Sequence, residues 1–109
     1  MKTQIYTVLL VLTLTITTMN AEAVQIRGAR SCGQWISDKG TEQLTVPNRT
    51  WALGFLSGMA FSSGKDVVRG TDNETIFLWI DNYCRANPLQ DIIGAVENLF
   101  TELVRQKRL

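Results

Sequence analysis

Side chains able to do covalent or acid–base chemistry are few in this sequence of 109 residues. There is no histidine, so Ser31, Ser37, Ser57, Ser62 and Ser63 have no imidazole to take a proton from a nucleophilic hydroxyl. Two cysteines without histidine cannot build a zinc site of the usual four-ligand kinds. Acid–base work by a carboxylate pair needs one carboxyl buried enough to hold its proton. Asp66, Asp72, Glu74 and Asp81 instead read as helix starts or solvated faces. Gly64-Lys65 lacks the glycine and hydroxyl spacing of a phosphate loop. Asn48-Arg49-Thr50 and Asn73-Glu74-Thr75 match glycosylation acceptors, yet both lie where helix caps are needed, and capping accounts for them better. The chain is therefore expected to be non-enzymatic, with no cofactor and no metal.

The elements that carry these residues begin with a distinct N-terminus. Met1-Lys2 precedes an apolar run from Ile5 to Ile16, and Ala21-Glu22-Ala23 supplies the small residues of a cleavage site. A charged start, a short apolar centre and a small-residue exit describe a secretory signal peptide over 1–23. The run is about a dozen residues, against roughly 20 for a membrane helix. No membrane insertion is expected after cleavage, which leaves 24–109 as one domain in the periplasm or outside the cell. Removing Lys2 and Glu22 keeps the net charge at +1, and no basic stripe points to nucleic acid. A chain of this size has a marginal core. In an oxidising compartment Cys32 and Cys84 are most simply read as a disulfide, contributing roughly 4 kcal/mol on the chain-entropy view.

Along 24–109 the periodicity is helical. Ser31 caps a short helix with Cys32, Trp35 and Ile36 on one face. Asn48, after Pro47, is expected to cap a second helix bearing Trp51, Phe55, Leu56 and Met59. Asp72 or Asn73 caps a third with the stripe Ile76, Trp79, Ile80, Tyr83 and Cys84. Asn87 and Pro88 are expected to open a fourth, with Leu89, Ile92, Ile93, Val96, Leu99, Phe100 and Leu103 inward. These elements predict an all-α fold, a small four-helix orthogonal bundle closed by one disulfide. Gly54 and Gly58 cost the second helix about 1 kcal/mol each relative to alanine, so close packing against another helix, the fourth, is expected there. Trp35 and Trp79 read as core. Phe61 and Phe77 fall off their helices' main stripes and are the candidate partner surface, toward a second copy or another protein.

Four segments carry a family resemblance: Ser31-Cys32-Gly33-Gln34-Trp35, Pro47 ahead of Gly54-Phe55-Leu56, Lys65-Asp66-Val67-Val68, and Cys84-Arg85-Ala86-Asn87-Pro88. Together they resemble the periplasmic acid-stress chaperones HdeA and HdeB over roughly residues 31–104. The resemblance implies an exported helical protein with one disulfide that exposes apolar surface at low pH and protects acid-unfolded client proteins. Trp51-Ala52-Leu53-Gly54-Phe55-Leu56-Ser57-Gly58 also resembles the glycine–aromatic helix of immunity proteins that block secreted cell-wall amidase effectors. That second resemblance implies an effector enzyme as the partner. A homodimer is compatible with either.

Overall fold

The computed structural model describes residues 24–109, and the expected signal peptide lies outside the described residues. Helix α1, Cys32–Ser37, begins as the sequence implies. The Ser31 side chain accepts from the Gln34 amide while the Gln34 side chain accepts from the Ser31 amide, a reciprocal cap. A single 3-10 turn, Asp38–Gly40, leads from α1 into α2, Glu42–Ser63. The left-handed backbone of Gly64 (φ 69°) ends α2. Helix α3 spans Asn73–Ala86 behind an Asp72 cap, and α4 spans Ile92–Lys107 behind an Asp91 cap.

These four helices form a compact all-α domain. Helix α3 packs against α1 on one side and α4 on another, and α2 packs against α4. The core contains Trp35, Leu56, Val67, Ile76, Ile80, Ile92, Val96 and Leu99. Cys32 and Cys84 are bridged, 52 positions apart, and the bridge is buried where α1 meets α3. The Lys107 ammonium donates to the carbonyls of Val67 and Arg69, tying the end of α4 to the α2–α3 loop.

The structure departs from sequence expectation in several places. Helix α2 starts at Glu42, not after Pro47, so the proline stands inside the helix without an amide to donate. Contacts on either side carry the helix across it: Thr45 donates its hydroxyl to the Asp38 carbonyl, and Asn48 its amide to the Asp38 carboxylate. Helix α4 starts four residues later than Pro88, and Leu89 is exposed instead of inward. Asn87 closes α3, its backbone and side-chain N–H groups both donating to the Tyr83 carbonyl. Backbone bonds from Cys32 to Gln90 and from Ile92 to Arg30 then pin the turn between the helices.

Phe77 is a correction to the candidate surface. It is buried at 6% exposure, because α3 is flanked on two sides and buries a wider face than one stripe. The Arg49 guanidinium sits 4.6 Å from its ring centroid and covers it from α2. Gly54 and Gly58 are a second correction. A Cβ at either position would meet nothing within 4 Å, so neither glycine packs against another helix among the described residues. Close approach occurs instead at Gly28 (φ 84°), where a Cβ would lie 2.9 Å from the Trp51 indole nitrogen. That nitrogen donates to the Arg27 carbonyl at 2.9 Å, holding the extended lead-in against α2.

Candidate functional site

Two regions stand out once the helices are placed. The first is a polar junction where α1, the 3-10 turn, α2 and α3 converge. Asp81, expected on a polar face, is instead buried, and so is Asp38. The Asp81 carboxylate accepts a 2.7 Å bond from the Trp35 indole and pairs with the Lys39 ammonium. The Asp38 carboxylate accepts from the Arg30 guanidinium at 3.0 Å and from the Asn48 amide at 2.8 Å. Every buried side-chain N or O among the described residues has a partner. The cavity left between Trp35, Lys39, Asn48, Arg49 and Asp81 is about 10 Å³. That is no more than a single water needs. The junction is a structural clasp and has no room for a substrate.

The second region is the outward face of α2. Gly54, Ser57, Gly58 and Phe61 are all exposed there, with Val46, Pro47 and Thr50 nearer the start of the helix. Phe61 stands 91% exposed, as its position off the main stripe implies. Helix α2 carries only two charges: Glu42 opens it, and Arg49 is turned toward Phe77. The outward face is therefore uncharged for almost its whole length. A solvated helix face ordinarily carries charged side chains. Beside it, Ile26, Arg27, Trp51, Gly54 and Phe55 line an open, mostly apolar groove of about 310 Å³. The Trp51 and Phe55 rings, 5.2 Å apart, form one wall.

A third depression, about 260 Å³, lies between α3 and α4 and is lined in part by Asp72, Trp79 and Glu102. Its two carboxyls are both held below their ordinary range. The Thr75 backbone amide and hydroxyl stabilise the Asp72 anion, and the Arg105 guanidinium and Gln106 amide stabilise Glu102. Their hydrogen bonds are thus already made within the chain. Among the described residues no three His, Cys, Asp or Glu side chains are grouped to hold a metal ion, and no helix is long and apolar enough to cross a membrane.

Of the residues singled out from sequence, the structure joins Cys32 to Cys84 and exposes Phe61 on one face with Gly54 and Gly58. It separates Phe77 from that face. Sequence reasoning missed Asp38 and Asp81. For Asp81 the one signal was Cys84, three residues on and expected in the core, which places Asp81 beside the inward row of its helix. Comparison with protein-family models, with curated proteins and with solved structures found no match to this chain.

Proposed function

We propose that this is a small exported protein-binding domain, non-enzymatic, that acts as a periplasmic stress chaperone by offering apolar surface to acid-unfolded proteins. The observation that carries the proposal is the uncharged outward face of α2 with Phe61 standing 91% exposed on it. Depletion of charge around an aromatic residue is the composition of contact surfaces.

The polar junction supports an acid response. Asp81 faces the Trp35 indole of α1, Lys39 of the 3-10 turn and Arg49 of α2 across the small cavity. Asp38 faces Arg30 of the lead-in and Asn48 of α2. The junction thus gathers three cations, Arg30, Lys39 and Arg49, around two buried carboxylates, with Glu74 3.9 Å from Arg49. In strong acid the net positive charge of the chain rises, and repulsion among these cations loosens α1 and α2 from α3, while the Cys32–Cys84 bridge keeps α1 attached. More apolar surface opens beside the α2 face.

The test is suppression of aggregation of an unrelated acid-denatured protein at pH 2–3 and at pH 7, with a hydrophobic dye and far-ultraviolet circular dichroism in parallel. Protection and dye binding at low pH, with helical signal retained and both reduced by Phe61→Ser, are expected. Unhindered aggregation at pH 2 overturns the chaperone reading. A second reading, an inhibitor or immunity protein against a secreted cell-wall amidase, is favoured by one observation: Phe61 is already exposed in the folded domain and needs no acid to reveal it. Tight binding to such an enzyme at pH 7, unchanged by pH and lost in Phe61→Ser, would establish it.

A further inference from the structure

The groove beside α2 pairs an apolar recess with a single cation, and we infer that it receives an acidic–aromatic segment of a partner protein. The aromatic side chain enters the groove and a neighbouring carboxylate meets Arg27. Ile26, Arg27, Trp51, Gly54 and Phe55 line the groove, whose volume is about 310 Å³. That is the small end of the range for ligand pockets, and suits one large side chain. The Trp51 and Phe55 rings, tilted at 37° with centroids 5.2 Å apart, offer a third ring both faces and edges. No side chain stands at position 54, and a Cβ there would meet nothing within 4 Å, so the groove is open beside them.

Charge narrows the occupant. Arg27 is the one ionisable residue lining the groove. Its guanidinium donates to the Gln25 side-chain oxygen at 3.1 Å and pairs with no carboxylate among the described residues. The adjoining chain has none to offer, since 24–30 contains no Asp or Glu and 50–63 contains no ionisable residue. Asp38, on the turn after α1, is already taken by Arg30 and Asn48. A guanidinium with most of its donors uncommitted, beside an apolar recess, complements an apolar group that carries a carboxylate and disfavours one that carries an ammonium. Its backbone is held in place as well. The Trp51 indole donates to the Arg27 carbonyl at 2.9 Å, and Gly28, left-handed at φ 84°, lets the lead-in lie where a Cβ would come 2.9 Å from that indole nitrogen. A protein segment is favoured over a free small acid because Gly54 belongs both to the groove and to the uncharged outward face that leads to Phe61. An occupant of the groove therefore continues onto that face. The inference rests on the reading of the α2 face as the contact surface, and adds the kind of partner sequence it selects.

Nuclear magnetic resonance titration of the nitrogen-labelled, oxidised protein at pH 7 with the capped peptide Gly-Ser-Glu-Phe-Glu-Gly-Ser tests it. Versions with both Glu replaced by Gln or by Lys, and 3-phenylpropionate alone, are the comparisons. The expected result is a saturable shift of the Trp51 indole and Gly54 amide signals, with the Trp35 and Trp79 indoles unmoved. Binding should be half-complete between roughly 0.1 and 1 mM peptide. It should weaken at least about threefold for the Gln peptide, and further for the Lys peptide. Arg27→Glu should invert the order of the Glu and Lys peptides, which lost packing alone would not do. Gly54→Leu fills the groove and should abolish the shifts while thermal unfolding stays cooperative. No shift at Trp51, equal binding of the Glu and Lys peptides, or an order unchanged by Arg27→Glu overturns the inference. A peptide held no tighter than 3-phenylpropionate overturns the protein segment as occupant. Phe61-dependent protection of acid-denatured clients without any charge preference at Arg27 refutes the selectivity of the groove alone. Charge-selective peptide binding in a domain that neither protects clients nor binds an amidase refutes the functional reading alone.

Discussion

Removal of the Asp81 carboxylate is the most direct probe of how this small domain is held together. In Asp81→Ala two partners lose their acceptor at once. The Trp35 indole N–H, on a residue only 4% exposed, is left unpaired. Such a stranded donor costs about 1–3 kcal/mol. The Lys39 ammonium loses its counter-ion, but its side chain is 35% exposed and can turn to water. Its share therefore falls from the 3–5 kcal/mol of a fully buried broken pair toward the ~1 kcal/mol of a surface one. The two contributions place Asp81→Ala at about 2–4 kcal/mol. Asp81→Asn keeps an oxygen for the indole and loses only the charge, so it should cost about 1–2 kcal/mol. Urea unfolding of the oxidised proteins at pH 7 measures both, with unchanged slopes establishing that only the folded state is affected. Trp35→Phe in the same background closes a double-mutant cycle, in which a coupling of about 1 kcal/mol or more is expected for groups in direct contact. Equal stability of the Ala and Asn variants, or both within 0.5 kcal/mol of wild type, would refute the reasoning.

Cys84→Ser should cost about 2–5 kcal/mol in the same assay, because it releases a loop with its ends 52 positions apart. Mass spectrometry of exported protein with both thiols free would contradict the bridge. Gly54→Ala and Gly58→Ala should each stabilise the domain by about 0.5–1 kcal/mol, since alanine favours helix and meets open space at both positions. A loss of stability would place these residues in a packed contact after all. Asp72, whose carboxyl the Thr75 amide holds below its ordinary value of 3.8, contributes stability fully present above that value and lost as pH falls through the lower folded one. The difference in melting temperature between wild type and Asp72→Ala should therefore narrow from pH 4 to pH 2, and a constant difference would show that charge plays no part in the cap.

The elements most legible in the sequence are those whose local chemistry and tertiary packing agree. Ser31 and Gln34 make a cap from four consecutive residues, and Ile76, Ile80 and Cys84 make one inward row, so both were readable without the fold. Fold class followed from the same signals, and the disulfide from two cysteines in a chain that opens as an exported one. Helix boundaries failed where a remote contact overrides propensity. Pro47 marks a helix start in isolation, yet Asp38 binds residues on both sides of it and carries α2 through. Asn87-Pro88 marks another start, yet backbone hydrogen bonds with Arg30 and Cys32, 58 to 62 residues away, delay α4 to Ile92. Burial failed for charged and aromatic residues on the flank of α3. A single amphipathic stripe assumes one neighbour, and α3 has two, so Phe77 and Asp81 are enclosed as well.

Helix α2 breaks local rules in a way the rest of the chain does not repay. Pro47, Gly54 and Gly58 all lower its propensity, with a glycine costing about 1 kcal/mol and an interior proline about 3 kcal/mol relative to alanine. Among the described residues, Gly54 and Gly58 meet no neighbouring helix, and Phe61 gains no burial from the position it holds. A sequence under pressure for stability alone would place alanines, lysines and glutamates on this face. Local choices that oppose the fold without return inside it concentrate at contact surfaces. Elsewhere the same chain follows the rules closely, with an acidic cap on α3 and α4 and basic residues in the last turn of each. The contrast between α2 and its neighbours thus supports the proposal that the outward face of α2 meets a partner.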